Sequence, residues 1–247
     1  MTSPIRLFHV SDLHFGAEDR AALDWFAGEV ARHRPDAVIC TGDLTMRARS
    51  REFAAAAEWL GGLGVPVSVE PGNHDIPYYW EPVTRLRRTF ERYGVLREAV
   101  HRDLVVEGAA LVSLQTIASA QWRLNLSKGY VKPIALSQAL DGLAGVQSAG
   151  LRLVACHHPL VDANTHSKGS TRGGKQALAA LARAGAHAVL SGHVDAAFDM
   201  HVETGGGPSR LIGAGTLSER LRATRPGYNR LEWSVGSGLQ VIHEALD

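Results

Sequence analysis

Five short apolar runs in this sequence are each followed within four residues by aspartate, histidine or asparagine. Runs of this length have the character of buried strands, and the first residues after a buried strand occupy defined positions at the edge of a sheet. The order of the strands in the sheet therefore decides whether these five polar strand ends meet. The runs and the residues that follow are 5–10 with Asp12 and His14, 37–40 with Asp43, 65–69 with Asn73 and His74, 151–156 with His157, and 186–190 with His193 and Asp195.

Helical patterns separate the strands in the first third of the chain. An apolar stripe that includes Phe26 and Val30 predicts a helix over 18–33, and a second helix is predicted over 50–60. Strands and helices therefore alternate, which favours a parallel sheet with helices on its faces. Since ligands gather at the carboxyl ends of parallel strands, we expect the polar residues to meet at one edge.

The rest of the chain predicts a mixed second half. Its last four segments have the alternation and glycine-rich turns of antiparallel strands. The basic stretch 78–93 has two open interpretations, a solvated helix face or a groove for an anionic substrate. Strands are predicted at 104–106, 110–114, 198–202, 210–212, 228–233 and 239–243, and helices at 137–147 and 175–183.

Composition and charge exclude several classes of protein. With 247 residues and 45% hydrophobic content, the chain favours a single domain over 1–247. A net charge of +1 supplies no broad basic surface, so nucleic acid is an unfavoured partner. The absence of a signal pattern and of an apolar run of about 20 residues predicts a cytoplasmic protein without a membrane span. Cys40 and Cys156 each close an apolar run and are expected to be buried thiols.

The side chains at the five strand ends have the chemistry of metal ligands. They offer imidazole, carboxylate and amide groups without a thiolate, which suits Mn, Fe or Zn and disfavours a cysteine-type structural zinc site. Their number exceeds what one tetrahedral ion can use. Two divalent ions that share a bridging carboxylate would use them.

The ordered motifs resemble those of the calcineurin-like metallophosphoesterases, and most closely the bacterial class III cyclic-nucleotide phosphodiesterases. The motifs are Asp-x-His at 12–14, Gly-Asp at 42–43, Gly-Asn-His-Asp at 72–75, His-His-Pro at 157–159 and Gly-His at 192–193. The resemblance implies an α/β fold, a four-layer α/β/β/α sandwich with two mixed sheets flanked by helices. It also implies a metal-dependent phosphoric ester hydrolase that acts on a small phosphorylated substrate.

The same resemblance implies a role for each motif residue. A hydroxide that bridges the two ions would attack phosphorus, with Asp43 as the shared carboxylate and His74 on the side of the leaving oxygen. His158 would lie beside the ligands and contact the substrate together with Asn73 and His74. The implied ligands are Asp12 and His14 for the first metal, Asp43 for both, and Asn73, His157 and His193 for the second.

The last motif departs from the family pattern. The family ends this motif in a histidine that binds the first metal, whereas this chain has Asp195. We predict that Asp195 replaces it directly through a carboxylate oxygen. The alternative is that Asp195 lies behind the ligands and the first metal is held loosely or lost.

The glycine-rich segment 169–175 matches the glycine and lysine spacing of a phosphate-binding loop. We reject that interpretation because Gln176 stands where a serine or threonine should hold magnesium. Arg172 in this segment is instead predicted to approach the substrate phosphate.

Three functions stay open at this point. The first is hydrolysis of a small phosphodiester such as a cyclic nucleotide. The second is a phosphomonoesterase or a nucleotide-lipid pyrophosphate hydrolase that uses the same site. The third, which Asp195 alone favours, is a non-catalytic binding scaffold.

Overall fold

The described part of the chain forms two five-stranded sheets and six α-helices. The computed structural model describes residues 4–78, 81–104, 106–117, 128–163, 171–220 and 224–247. The strands are β1 Ile5–Val10, β2 Ala37–Cys40, β3 Val67–Val69, β4 Ala109–Ser113, β5 Leu151–Ala155, β6 Ala188–Ser191, β7 Phe198–Thr204, β8 Gly207–Gly213, β9 Gly227–Ser234 and β10 Gly238–Ala245. The helices are α1 Arg20–His33, α2 Ser50–Gly61, α3 Pro82–Arg87, α4 Glu91–Val100, α5 Pro133–Gly145 and α6 Gly174–Arg183.

The first sheet has the order β10-β9-β1-β2-β3. Its three N-terminal strands are parallel, with Leu7 opposite Ala37 and Val38 opposite Val67. Strand β9 pairs antiparallel with β1, and β10 pairs antiparallel with β9. The carboxyl ends of β1, β2 and β3 therefore meet at one edge, as the alternation of strands and helices predicted.

The second sheet has the order β4-β5-β6-β8-β7 and differs from the sequence prediction in one respect. Strands β4, β5, β6 and β8 are parallel, and only β7 is antiparallel to its neighbour in this sheet. The pattern of the tail correctly indicates a β7–β8 hairpin. It does not indicate that β8, rather than β7, pairs with β6, because alternation and turns specify a hairpin but not which of its strands joins the sheet.

Alternating side chains divide the core into layers. In β1, Leu7 contacts the second sheet while Phe8 contacts the layer of α1, α2 and α4. In β5, Leu153 faces the first sheet while Val154 packs under α5 and α6. Because successive strand side chains point to opposite faces, two apolar sheets stack and each carries its own helices. The predicted four-layer α/β/β/α sandwich with two mixed sheets is confirmed.

Two helical segments differ from their predicted bounds. The basic stretch 78–93 forms two helices, and Thr89 Oγ1 donates to the carbonyl of Arg85 at the break, a side-chain hydrogen bond that competes with helix continuation. Helix α5 begins at Pro133 rather than at 137, because proline is suited to the first helical position.

Two further predictions concern the strands and the cysteines. The strand predicted at 104–106 is wrong for its described residues, since Val106 makes an isolated bridge to Ala109. Cys40 and Cys156 are buried free thiols, as expected. Among the described helices, none is both long and apolar enough to cross a membrane.

A buried glutamate connects the two sheets near the carboxyl ends of β3 and β4. Glu70, which directly follows β3, accepts a hydrogen bond from Ser113 Oγ at the end of β4 (2.6 Å). Its side chain is buried, and burial raises its pKa to about 7, although Ser113 and Arg97 act in the opposite direction. A carboxyl with a raised folded-state pKa stabilises the fold when it is protonated and loses that contribution as pH rises through the folded pKa.

We expect the substitution Glu70→Gln to remove this pH dependence. Between pH 5 and pH 8 the wild type should lose on the order of 2 kcal/mol more unfolding free energy than the variant. Urea denaturation with excess EDTA measures the difference without a contribution from metal binding. Glu58→Gln, at an exposed position of α2, is the matched control. Equal pH slopes for wild type and Glu70→Gln would contradict the prediction.

Candidate metal centre

The loops that follow β1 and β2 run side by side and hold the first ligands in place. The amide of Asp12 donates to the carbonyl of Gly42 (3.0 Å), and that of His14 donates to the carbonyl of Asp43 (2.9 Å). On the other side, the amide of His193 donates to Asp12 Oδ2 (2.8 Å), which joins the loop after β6 to the loop after β1. Hydrogen bonds therefore tie the two sheets together at the candidate site.

Backbone strain is concentrated in the candidate ligands. Seven non-glycine residues of the described chain have a positive φ, and five of them are predicted ligands. This left-handed region costs a side-chain-bearing residue on the order of 1–3 kcal/mol, and such strain clusters at functional sites. The five are Asp12 (56°), His14 (47°), Asp43 (51°), His193 (72°) and Asp195 (55°).

Two glycines allow the loops to approach closely enough. A Cβ on Gly72 would overlap the main-chain nitrogen and the carboxylate of Asp43, and one on Gly192 would overlap Ser11 and Asp12. Both glycines belong to the sequence motifs. They are needed here for close packing of the loop backbones rather than for a positive φ.

Asp12, His14 and Asp195 form one buried group. Their ligand atoms lie within 4.8 Å of one another, and His14 Nε2 is 3.7 Å from Asp12 Oδ1. Burial, together with the carboxylates of Asp195 and Asp43, raises the pKa of Asp12 to about 8, although His157 opposes the shift. Burial lowers the pKa of His14 to about 3 and keeps its ring in the neutral form that binds metals.

Asp43, Asn73 and His157 form an adjoining group. His157 Nε2 lies 3.4 Å from Asp43 Oδ2 and 3.2 Å from Asn73 Oδ1. His157 Nδ1 donates to the carbonyl of Thr41 (2.8 Å), which turns Nε2 toward these oxygens. Burial disfavours both ionised side chains, but their attraction holds the pKa of Asp43 well below its usual range and raises that of His157 to about 9.

Asp43 lies between the two groups. Its Oδ2 is 3.9 Å from His14 Nε2 on one side and 3.4 Å from His157 Nε2 on the other. Asp12 also belongs to two of the ligand groups, so both carboxylates lie where the groups overlap, and the bridging role of Asp43 stays a prediction.

His157, His158 and His193 make up a further cluster. Their ligand nitrogens lie within 4.8 Å of one another, and the rings of His158 and His193 are 4.4 Å apart. Thr116 Oγ1 lies 3.0 Å from His158 Nδ1 and accepts a hydrogen bond from its amide (3.2 Å). His158 therefore lies among the candidate ligands, and its predicted contact with the substrate stays a prediction.

His74 is half-buried at the mouth of the site. Its amide donates to Asp43 Oδ1 (2.7 Å), and its Nδ1 donates to the carbonyl of Met46 (2.8 Å). Its Nε2 lies 3.1 Å from a guanidinium nitrogen of Arg220, and its ring is 4.8 Å from that of His14. Both ring nitrogens therefore have hydrogen-bond partners, and the ligand atoms of His14, Asp43 and His74 also lie within 4.8 Å of one another.

Arg172 is placed differently from the other predicted site residues. Its exposed guanidinium stacks over the ring of Tyr130, 5.0 Å from the centroid, and no described contact joins it to the metal-ligating side chains. Its role in substrate binding stays a prediction.

Two residues of the site were missed by the sequence reasoning. Asp75 accepts hydrogen bonds from the amides of Leu44 (3.0 Å), Thr45 (2.8 Å) and Gly72 (2.8 Å), and so fastens the loop after β2 to the loop after β3. Its place at the end of the Gly-Asn-His-Asp motif was a usable signal. Arg220 carried no such signal, because it follows a strand whose direction was not recognised.

A sequence profile of calcineurin-like phosphoesterases matches residues 5–195. The chain belongs to the calcineurin-like phosphoesterase family. The matched region contains all of the candidate metal ligands and ends at Asp195. The predicted enzyme class, a metal-dependent phosphoric ester hydrolase, is the class of this calcineurin-like phosphoesterase family.

Similar proteins agree with this assignment. Glycerophosphodiester phosphodiesterase GpdQ of Enterobacter lignolyticus strain SCF1 is 36% identical over 80 residues, 28% of this chain and 29% of that protein. A probable cyclic nucleotide phosphodiesterase of Pseudoalteromonas sp. strain SM9913 is 27% identical over 210 residues, 80% of this chain and 71% of that protein. The crystal structure of a dimetal phosphatase from Danio rerio has a TM-score of 0.63 at 12% identity and covers 99% of this chain and 100% of that one. At 12% identity, the similarity to the Danio rerio phosphatase concerns the fold alone.

The Asp75 contacts lead to a prediction about stability and metal binding. In Asp75→Ala the three buried amides lose their acceptor, so we expect a loss of about 3 kcal/mol in unfolding free energy and weaker metal retention. Asp75→Asn keeps one acceptor oxygen and should lose less. Urea denaturation and elemental analysis measure the two effects, and Asp24→Ala on the exposed face of α1 is the control. Unchanged stability in Asp75→Ala would refute the proposed link between the loops.

Proposed function

We propose that this protein hydrolyses a small phosphodiester at a centre of two divalent metal ions. The observation that carries the proposal is a series of overlapping groups of candidate ligands, in which neighbouring groups share Asp12 or Asp43. One group contains Asp195 with Asp12 and His14, and another contains His157 with Asp12 and Asp43. A single ion would leave the outer groups unused, whereas two ions that share Asp43 use both the end with Asp195 and the end with His193.

The donor set fits divalent cations. Asp12, Asp43 and Asp195 are carboxylates buried close together, and Asp12 Oδ1 has no hydrogen-bond donor among the described residues. Buried negative charge without a partner is costly, and a bound cation removes that cost. Oxygen ligands with imidazoles suit Mn, Fe or Zn. We assign Asp12, His14 and Asp195 to the first metal, Asp43 to both, and Asn73, His157 and His193 to the second.

When bound, two such ions activate a water molecule as nucleophile and neutralise charge on the phosphoryl group. His74 performs a separate task, since its hydrogen bonds hold its ring beside the ligands. From this position it donates to the leaving oxygen or stabilises charge on it. Asn73 and His158 both lie next to His157, and in this proposal they contact the substrate.

Two observations support a diester as the substrate. The relatives GpdQ and the Pseudoalteromonas protein are both named phosphodiesterases. The near-neutral charge of the chain suits a small substrate better than a long nucleic acid.

A substrate panel tests the proposal. Protein loaded separately with Mn, Fe and Zn is assayed with bis(p-nitrophenyl) phosphate, cyclic nucleotides, glycerophosphodiesters and p-nitrophenyl phosphate. We expect a higher kcat/KM for a diester than for the monoester. A clear preference for the monoester would favour a phosphatase, and protein that holds no metal and cleaves none of these compounds would favour a binding scaffold.

Asp195 gives a prediction about metal content. If it binds the first metal, Asp195→Ala should lower the content from about two ions per chain to about one, whereas Asp195→His should retain both. Elemental analysis after dialysis measures the content. Asp199→Ala, on the exposed part of β7, is the matched control. Full metal content in Asp195→Ala would remove Asp195 from the ligand set.

His74 gives a prediction about turnover. His74→Ala should keep its metals and lose about 10²–10³-fold in kcat. The loss should be larger for an alkoxide leaving group than for p-nitrophenolate, because a poor leaving group depends more on proton donation. His201→Ala, at an exposed position of β7, is the control. An unchanged rate with an alkyl diester would exclude His74 from the reaction.

A further inference from the structure

A sixth strand end reaches the candidate metal centre. Because β8 is parallel to β6, the segment after its last residue, Gly213, emerges at the same edge as the predicted ligands. Thr216 in this segment bridges to Ser11, and its buried hydroxyl donates to the carbonyl of Asp12 (2.6 Å). The segment is therefore attached to the loop that carries the first ligands.

Further contacts hold the end of this segment in position. Ser218 is buried and bridges to Glu18, and its Oγ lies 2.7 Å from Thr216 Oγ1. The amide of Arg220 donates to Ser218 Oγ (3.3 Å). The backbone of Arg220 is thus fixed by buried hydroxyls, which favours a defined direction for its side chain.

The guanidinium of Arg220 lies directly beside the substrate-facing histidine. Its Nη1 is 3.1 Å from His74 Nε2 and 3.7 Å from the sulfur of Met46. Since His74 Nδ1 donates to a carbonyl, Nε2 is the nitrogen that accepts from Arg220. The guanidinium therefore contacts an imidazole and a thioether, while the described carboxylates of the site contact other groups.

Such a guanidinium is suited to a phosphoryl group. Arginine presents several donors in a planar fork that matches two oxygens of a phosphate, and its charge is permanent. Next to the ligand groups, it adds a positive charge where the substrate carries negative charge. Its hydrogen bond to Nε2 also fixes the orientation of the His74 ring.

We propose that Arg220 binds the non-bridging phosphoryl oxygens of the substrate and is the arginine of this site, in the role that the sequence suggested for Arg172. The inference rests on the proposed phosphoesterase function. On substrate binding, the guanidinium moves its donors from His74 Nε2 to the phosphoryl oxygens. The freed Nε2 takes up a proton from water and can then donate it to the leaving oxygen.

The test uses Arg220→Met, which keeps the length of the side chain and removes its charge and donors, and Arg220→Lys, which keeps the charge without the fork. Arg225→Met is the matched control, since Arg225 is exposed in the same region and contacts Asp247. We expect Arg220→Met to lose about 10²-fold in kcat/KM for bis(p-nitrophenyl) phosphate. The loss in Arg220→Lys should be smaller, and added guanidinium at non-denaturing concentration should partly restore Arg220→Met.

Phosphate binding supplies a measurement that does not depend on turnover. Titration calorimetry with inorganic phosphate on the manganese-loaded proteins should give a Kd at least about tenfold weaker for Arg220→Met than for wild type. The same weakening is expected in a His74→Ala background, because direct binding does not act through His74. Unchanged phosphate affinity, or a loss that disappears without His74, would overturn the proposal and leave Arg220 as a support for His74.

Metal analysis separates the remaining outcomes. Wild-type metal content in Arg220→Met supports a role toward substrate, whereas lost metal in both Arg220 variants would overturn it. If the wild type cleaves no ester with any metal, the proposed function fails, and phosphate affinity still decides whether Arg220 binds the anion.

Discussion

The structure depends on holding three carboxylates, those of Asp12, Asp43 and Asp195, buried next to one another. In a medium of low polarity their mutual repulsion and lost hydration oppose folding. Hydrogen-bond donors of the surrounding loops satisfy part of this charge. The amide of His74 donates to Asp43, the amide of His193 donates to Asp12, and His157 lies against Asp43. Bound divalent cations can neutralise the negative charge of the carboxylates that remains. The buried carboxylates therefore link the fold to its chemistry.

The backbone of the same region is strained. Asp12, His14, Asp43, His193 and Asp195 all have positive φ, and such conformations persist only where the rest of the fold overdetermines them. That support comes from paired loops and from Asp75, whose carboxylate collects three amides of two different loops. A site built in this way gains precise ligand positions and gives up local stability.

Asp195 adds a second carboxylate to the group that it forms with Asp12 and His14. A carboxylate there adds negative charge beside Asp12 and contributes to its raised pKa. On the outer side of the same group, Arg220 adds a fixed positive charge next to His74. The candidate site therefore has carboxylates at one end, where Asp12 and Asp195 lie, and imidazoles at the other, where His157, His158 and His193 lie.

The sequence patterns alone predicted most strands and helices and the polar residues that follow the strands, whereas the four-layer sandwich and the ligand roles were implied by the family resemblance. Alternating apolar side chains such as Leu7 and Phe8 specify two buried faces, and motif residues directly after a strand have little freedom of position. Only the tertiary structure decided the roles of Asp75 and Arg220 and the surroundings of Asp195. Asp75 acts through amides about 30 residues away in the chain, and Arg220 reaches the site because β8 pairs parallel with β6. Local patterns identify strands and turns, but the choice of neighbours depends on packing between segments far apart in sequence.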